Sequence, residues 1–200
     1  MTTNVQNISA VILAGGQGSR LKGVDKGWVE LNKIPLVQHV INRIKPQVSE
    51  IIISANRNIE DYQQFGFPVF TDDISGYAGP LAGIFKALQR SKSEWLLTVP
   101  ADSPFIPTDL TQHLAQDVGD SKIIIVHDGE RLQPTFALIH KELASSLQQF
   151  LDKGERKTRA WMLQQPYKMA DFSQAKNAFM NINTEDDLKT AEQHFTAFMA

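Results

Sequence analysis

The segment ISAVILAGGQGSRLKGVDKG, residues 8–27, has the pattern of a buried strand that runs directly into a glycine-rich loop. Its first seven residues are almost continuously apolar, which is typical of a strand covered on both faces of a sheet. The glycines that follow let the backbone adopt positive φ angles and approach a ligand closely. A strand that ends in such a loop predicts an α/β fold with a ligand at the carboxyl edge of a parallel sheet.

Further apolar runs alternate with segments that carry apolar residues at helical spacing. The runs cover residues 51–55, 68–71, 94–100 and 122–127, and the amphipathic segments cover residues 36–45, 59–65, 81–89 and 109–116. This alternation predicts a three-layer, Rossmann-like α/β fold, in which helices cover both faces of a mostly parallel sheet. No repeat, low-complexity segment or linker interrupts the chain, so we predict a single domain over residues 1–200.

The chain after residue 128 departs from this alternation. We predict an antiparallel return strand at residues 133–140, a basic stretch at residues 153–159, and helices at residues 141–151, 160–165 and 184–195. Pro35 and Pro80 are expected at first helical positions, where the missing N–H costs nothing. Thr108 and Asn183 are expected as N-caps.

The composition excludes several classes of protein. A hydrophobic share of 42% with 21% charged residues excludes disordered and fibrous chains. The net charge of -2 gives no general attraction to nucleic acid or to a membrane surface, so neither partner is expected. The absence of cysteine excludes disulfides, thiolate metal sites and cysteine nucleophiles. Because the first nine residues carry no signal pattern and no apolar run approaches the roughly 20 residues of a membrane span, we expect a cytoplasmic protein.

The glycine loop is a candidate phosphate site. Its backbone N–H groups can form an anion-binding concavity, to which Arg20, Lys22 and Lys26 add positive charge. The P-loop motif fails because no lysine follows Gly23, and the dinucleotide fingerprint fails because Leu21 stands where a glycine is required. A mobile surface loop is the alternative interpretation, and the position directly after the first strand argues against it.

Aspartates follow two of the predicted strands. Asp102, in the segment VPADSPFIP, is expected at the same sheet edge as the glycine loop. Mg²⁺ prefers one or two carboxylates together with substrate phosphates, so Asp102 is a candidate metal ligand. Asp72 and Asp73 could accept the N1–H and N2–H groups of a guanine. Turn or helix-cap chemistry is the alternative for all three residues. A second glycine-rich loop, residues 76–83, could line a base or ribose pocket.

Six short motifs occur in chain order: LAGG at 13–16, SRL at 19–21, GVDKG at 23–27, GPLAG at 79–83, PADSP at 100–104 and NINT at 181–184. Together they resemble the molybdenum cofactor guanylyltransferase family, over essentially the whole chain. The resemblance implies a nucleotidyltransferase fold and an Mg²⁺-dependent enzyme that transfers GMP from GTP to molybdopterin and releases pyrophosphate.

The resemblance also implies site residues. The implied GTP contacts are Leu13, Ala14, Gly15, Lys26, Ser54, Asp72 and Asp102. Asp102 is the implied Mg²⁺ ligand, and Lys26 and Arg20 are expected to neutralise phosphate charge. The family often has Asn where Ser54 stands, and a serine cannot make the paired hydrogen bonds of an amide; Asn56 follows two residues later.

The second substrate is expected in the C-terminal part. The resemblance implies Arg156, Asn181 and Asn183 as molybdopterin residues, and the basic stretch at residues 153–159 would attract a phosphate; a solvated helix face is its alternative. Residues 8–128 would then form the GTP half and residues 129–200 the molybdopterin half. A monomer is expected, with transient contacts to other molybdenum cofactor biosynthesis proteins and to molybdoenzyme apoproteins.

Three rival functions stay open. The relative that uses CTP tends to have LAAG and to lack GPLAG, so the motifs LAGG and GPLAG favour GTP. A sugar-phosphate nucleotidyltransferase of the same fold is the second rival. A GTP-binding assembly module without catalysis is the third, and the joint presence of Lys26 and Asp102 argues against it.

Overall fold

A computed structural model of the protein describes residues 7–15, 25–71, 79–116 and 118–199. Its strands, in chain order, are β1 (Ile8–Leu13), β2 (Glu30–Leu31), β3 (Ile34–Pro35), β4 (Glu50–Ser54), β5 (Val69–Phe70), β6 (Trp95–Pro100), β7 (Ile123–His127), β8 (Leu132–His140) and β9 (Tyr167–Asp171). Its α-helices are α1 (Leu36–Ile44), α2 (Ile59–Gln63), α3 (Pro80–Arg90), α4 (Leu110–Gln116), α5 (Ala144–Asp152), α6 (Thr158–Met162), α7 (Glu185–Gln193) and α8 (Phe195–Met199). Short 3₁₀ turns include Lys26–Trp28 and Ser173–Phe179.

The main sheet of the described residues contains seven strands in the order β5-β4-β1-β6-β8-β7-β9. Strand β8 is antiparallel to both of its neighbours, and the other neighbouring pairs are parallel. This confirms the predicted mostly parallel sheet with an antiparallel return strand. Strands β2 and β3 form a separate hairpin.

Both faces of the sheet are covered, which explains why its central strands read as continuous apolar runs. On one face, Ile8, Ala10 and Ile12 of β1 belong to a core shared with α1 and α4. On the other face, Val11 belongs to a core shared with α3, α5 and α6. The resulting three layers confirm the predicted Rossmann-like architecture.

A smaller apolar cluster fixes the C-terminal segment over one end of the sheet. Its buried members are Leu31, Leu36, Phe105, Ile182 and Ala191. Because Ile182 is anchored there, its polar neighbours Asn181 and Asn183 are brought back to the residues that follow β6.

Several helix ends differ from the prediction by one or two residues. Pro35 ends β3 and precedes α1 as its N-cap, whereas Pro80 occupies the first position of α3 as expected. Thr184, and not Asn183, caps α7: its hydroxyl accepts from the Asp187 N–H, while the Asp187 carboxylate accepts from the Thr184 N–H. This reciprocal capping box satisfies two helix-end donors, which explains its preference over a lone asparagine. Helix α4 begins at Leu110, two residues after Thr108.

The C-terminal part contains features that the sequence did not predict. Strand β9 was missed because, as the edge strand, it buries only Ala170 and carries no apolar run. Helix α6, Thr158–Met162, overlaps the helix predicted at residues 160–165 but begins and ends earlier than predicted. The last predicted helix is divided at His194. In the N-terminal part, the hairpin turn at Asn32 and Lys33, both with positive φ, was also missed.

Candidate active site

A cleft of about 230 Å³ lies at the carboxyl edge of the sheet. It is lined by the strand ends and loops that the sequence singled out, together with residues from β8 and the C-terminal segment: Leu13, Ala14, Gly15, Asp25, Lys26, Gly27, Ser54, Gly79, Pro80, Gly83, Pro100, Ala101, Asp102, Thr135 and Asn181. Of the predicted GTP contacts, those within the described residues all line this cleft. Asp72, Arg20 and Lys22 lie outside the described residues.

Backbone hydrogen bonds hold the floor of the cleft together. Leu13 lies in register with Ser54 and with Pro100, so three parallel strands end at one level. Beyond those ends, the Ala14 N–H donates to the Ser54 carbonyl at 2.8 Å, and the Ala101 N–H donates to the Leu13 carbonyl at 3.0 Å. The start of the glycine loop and Asp102 are therefore fixed at the same sheet edge.

Asp102 is the central carboxylate of the cleft and is only 9% exposed. Its Oδ1 accepts from the Asn181 amide at 3.1 Å, and its Oδ2 lies 3.4 Å from Lys26 Nζ. Burial raises the pKa of Asp102 above its ordinary value, and the nearby Lys26 and Asn181 oppose that shift. Desolvation of the ionised carboxylate therefore outweighs the stabilisation that Lys26 and Asn181 provide.

Lys26 joins the N-terminal loop to the C-terminal segment. Its ammonium group donates to Asn183 Oδ1 in addition to its contact with Asp102. The Asn183 amide in turn donates to the Asn181 carbonyl at 3.3 Å. We call Lys26, Asp102, Asn181 and Asn183 the Asp102 cluster. The two asparagines that the resemblance assigns to molybdopterin therefore share one polar cluster with the residues assigned to GTP.

The Asp102 cluster offers hard oxygen ligands for a metal: the Asp102 carboxylate and the Asn183 side-chain oxygen. Within the described ranges, no group of three or more acidic or histidine side chains could hold an ion alone. Mg²⁺ keeps several waters and is completed by substrate phosphates, so one carboxylate suits it. Softer metals such as Zn²⁺ and Cu⁺ favour imidazole or thiolate ligands, and this cluster contains neither, whereas Mg²⁺, Ca²⁺ and Mn²⁺ all accept carboxylate and carbonyl oxygens.

Helix α3 points its N-terminus into the cleft. Gly79, which precedes it, has φ +61° and ψ −156°, a conformation that favours glycine. The first N–H groups of the helix lack intrahelical partners and carry partial positive charge, which favours an anionic ligand. Gly83 lies so close to β1 and β4 that an added Cβ would approach Ser54 Oγ to 2.5 Å and Leu13 Cδ2 to 3.2 Å.

The variant Gly83→Val is expected to destabilise the protein and to weaken GTP binding. The added side chain must push α3 away from Ser54 and Leu13, and overpacking of this kind costs about 1–3 kcal/mol. Urea unfolding and GTP titration measure the two effects. Gly66→Ala is the control. Its Cβ would strain a backbone of positive φ but would meet no atom within 4 Å. Unchanged GTP affinity in Gly83→Val would contradict the prediction.

The basic stretch borders the cleft beside α3. A Cβ on Gly79 would lie 4.0 Å from the Arg156 carbonyl oxygen. The Arg156 guanidinium, however, donates to the carbonyls of Leu151 and Glu155, each at 2.8 Å, and so caps the end of α5. Its assignment to molybdopterin stays a prediction.

Sequence reasoning missed several residues of the cleft. Asp25 lines it and is only 9% exposed, although the sequence analysis gave its carboxylate no role. Thr135 reaches it from β8. The Asn56 amide nitrogen lies 3.5 Å from the position of a Cβ on Gly15, so an amide does lie beside the first loop, from two residues after Ser54. The sequence shows that Asn56 follows Ser54 by two residues, but it does not show that the Asn56 amide lies beside Gly15.

Comparison with known proteins decides the family. Residues 10–169 match the family model described as MobA-like NTP transferase domain. The molybdenum cofactor guanylyltransferase of Shewanella loihica is 47% identical over 181 residues, which cover 90% of this chain and 92% of that protein. The chain belongs to the molybdenum cofactor guanylyltransferase family. The Pasteurella multocida member of the family is also 47% identical, over 91% of this chain and 97% of its own. The resemblance found in the sequence is confirmed, and the chain is a nucleotidyltransferase.

Solved structures show that the guanylyltransferase family shares its fold with other enzymes. Molybdopterin-guanine dinucleotide biosynthesis protein A from Archaeoglobus fulgidus has a TM-score of 0.77 at 23% identity, covering 94% of this chain and 99% of its own. A 4-diphosphocytidyl-2C-methyl-D-erythritol synthase from Anaerococcus prevotii also has a TM-score of 0.77, at 15% identity, covering 96% of each chain. The predicted nucleotidyltransferase fold is confirmed.

In the parts of the chain that the structure describes, no helix combines the length and the apolar character needed to cross a bilayer.

Proposed function

We propose that this chain transfers GMP from GTP to molybdopterin, forming the molybdopterin guanine dinucleotide cofactor and releasing pyrophosphate. The observation that carries the proposal is that Lys26 of the glycine loop and Asp102 after β6 meet in one cleft. The relatives that are 47% identical over nine-tenths of the chain carry the name of this activity.

The reaction exchanges one phosphoanhydride bond for another. An oxygen of the terminal phosphate of molybdopterin attacks the α-phosphorus of GTP and forms the new P–O–P bond. The bond from the α-phosphorus to the oxygen that bridges to the β-phosphate breaks, and that oxygen leaves with pyrophosphate. The attacking phosphate is already ionised at neutral pH, so the protein needs no strong general base. Its task is to position the two substrates and to stabilise the developing charge.

The Asp102 cluster would divide this task between its members. Asp102 would hold a divalent metal, proposed to be Mg²⁺, which when bound supplies positive charge at the nucleotide phosphates. Lys26 would leave its contact with Asp102 and neutralise charge on the α-phosphate. Arg20 is proposed to do the same for the leaving pyrophosphate.

The substrates are proposed to occupy opposite sides of the cluster. GTP would contact the predicted residues Leu13, Ala14, Gly15, Ser54 and Asp72, from residues 8–128. Molybdopterin would contact Arg156, Asn181 and Asn183, from residues 129–200. Because both asparagines touch Lys26 or Asp102, the attacking phosphate would enter next to the metal. The cytoplasmic location, the monomeric state and the transient contacts with cofactor biosynthesis proteins and apoproteins stay predictions.

One assay tests the proposed function against its rivals. Purified protein with Mg²⁺ is given each of the four nucleoside triphosphates together with molybdopterin or a sugar phosphate, and pyrophosphate is measured. We expect pyrophosphate release only when GTP and molybdopterin are supplied together. Release with CTP and molybdopterin, or with any nucleotide and a sugar phosphate, would contradict the proposal. GTP binding without release would indicate a binding module.

As the pH is lowered, the rate of GMP transfer is expected to fall at a higher pH than it would if the metal ligand were an exposed aspartate. Burial raises the pKa of Asp102, so its carboxyl takes up a proton earlier as the pH falls, and the protonated form no longer holds the metal. Because proton and metal compete, raising the Mg²⁺ concentration should move the acid limb to lower pH. Rate profiles at two metal concentrations measure this. An acid limb that does not move would contradict Asp102 as the metal ligand.

A further inference from the structure

Asp25 lies at the far end of the glycine loop, directly before Lys26, and both of its carboxylate oxygens accept hydrogen bonds. Its Oδ1 accepts from the Gly27 N–H at 3.1 Å and from the Tyr62 hydroxyl at 2.9 Å. Its Oδ2 accepts from the Asn58 amide at 3.1 Å. A carboxylate that is buried and bonded on both oxygens in this way has one defined orientation.

The two side-chain donors come from the connection after β4. Asn58 precedes α2 with a positive φ of 51°, and Tyr62 lies within α2 and is completely buried. Burial and the adjacent Asp25 raise the pKa of Tyr62 far above its ordinary value, so the phenol keeps its proton and always donates. The end of the glycine loop is thus tied to the element that follows Ser54, on the other side of the cleft floor.

These contacts fix the backbone on both sides of Lys26. Asp25 caps the 3₁₀ turn Lys26–Trp28. Within this turn the Trp28 N–H donates to the Asp25 carbonyl at 3.0 Å, and the Val29 N–H donates to the Lys26 carbonyl at 3.1 Å. Gly27 packs directly against the Tyr62 hydroxyl, where an added Cβ would clash. Trp28 in turn packs against the Tyr62 ring, with centroids 5.4 Å apart.

A fixed backbone matters because the lysine side chain is long. In the free protein, Lys26 Nζ is held by Asp102 and Asn183. When the ammonium group moves to a phosphate, those contacts no longer define its position. The position of the Lys26 Cα then determines which atoms the ammonium group can contact. Preorganised charge is effective only where its position is maintained during the reaction.

We infer that Asp25, hydrogen-bonded to Tyr62 and Asn58, is a positioning residue that holds Lys26 at the place where charge develops on the α-phosphate. The inference rests on the proposed function. We assign Asp25 no contact with substrate or metal, because the proposed role needs only the three hydrogen bonds that orient its carboxylate.

A double-mutant cycle between Tyr62→Phe and Lys26→Gln tests the inference. Tyr62→Phe keeps the ring that packs against Trp28 and removes only the hydroxyl. It should lower kcat for GMP transfer by about 10- to 100-fold, the scale of a roughly 1 Å misplacement, with KM for GTP changed by less than about threefold. In the Lys26→Gln background the same change should lower kcat by less than about twofold, because the charge to be positioned is gone.

A second variant keeps the test independent of the phenylalanine substitution. Asn58→Gly removes the other donor, and glycine accepts the positive φ at this position. It should lower kcat in wild type and have little effect in Lys26→Gln. Tyr167→Phe, on the exposed edge strand β9, is the matched control and should leave kcat and KM unchanged. Circular dichroism and urea unfolding establish that each variant is folded at the assay temperature.

The outcomes separate this inference from the proposed function. Equal losses of kcat in both backgrounds, or unchanged kcat in folded Tyr62→Phe, would overturn the positioning role while the wild type stays active. A wild type that releases no pyrophosphate from GTP and molybdopterin would overturn the proposed function, and the inference with it.

Discussion

Asp102→Asn is expected to lose GMP transfer by at least about 10²–10³ in rate, the scale of removing a single charge-stabilising contact. The amide has nearly the same shape as the carboxylate, but it has no charge to hold the metal at the phosphates. Pyrophosphate release at saturating Mg²⁺ and GTP measures the effect. Wild-type turnover by this variant would show that Asp102 is not the metal ligand.

The same substitution is expected to leave the fold as stable as the wild type, or more so. Burial raises the pKa of Asp102 in the folded protein above its value in the unfolded chain. As the pH rises through these two values, the unfolded chain loses this proton first, so the contribution of Asp102 to stability declines. Asp102 therefore contributes less to stability at neutral pH than at acid pH, and asparagine removes this pH-dependent cost. A large drop in the free energy of unfolding would contradict this account.

Lys26→Gln is expected to lower kcat by about 10²–10³, because a positive charge that stabilises the transition state is lost. The metal remains, so activity should fall without disappearing. Single-turnover measurements with saturating GTP separate this chemical effect from weaker binding. Unchanged kcat with a raised KM would mean that Lys26 only binds the nucleotide.

The chain offers a matched control for both substitutions. Glu50 and Lys92 form an ion pair at 3.6 Å, close to the 3.4 Å of Asp102 and Lys26, but at the opposite edge of the sheet. Glu50→Gln and Lys92→Gln should therefore leave GMP transfer unchanged. Equal losses at both edges would indicate a general electrostatic or folding effect and not a specific site.

The fold was predictable where the environment of a segment is uniform. Strands β1, β4, β6 and β7 are covered on both faces, so their sequences are continuously apolar and their existence could be predicted. Strand β9 lies at the edge, and only Ala170 of its five residues is buried, so the pattern that identifies a strand is absent. Asn183 was predicted as the N-cap of α7, and the reciprocal contact between Thr184 and Asp187 makes the next residue the cap instead.

The site was predictable where its residues belong to one short motif or follow a strand. The glycine loop and Asp102 were expected at the same edge of the sheet because parallel strands end together. The register of Leu13, Ser54 and Pro100 confirms this. The bond between Tyr62 and Asp25 joins residues 37 positions apart. Tyr62 has the spacing of a core residue of α2, so nothing in its local sequence reveals that its hydroxyl supports the loop.

A crystal structure with Mg²⁺ and the α,β-methylene analogue of GTP, which cannot release pyrophosphate, would show where the nucleotide and the metal bind. We expect the triphosphate between the glycine loop and the N-terminus of α3, the metal on the Asp102 carboxylate, and Lys26 Nζ moved from Asp102 to the α-phosphate. A nucleotide bound elsewhere, or a metal that does not touch Asp102, would contradict this expectation.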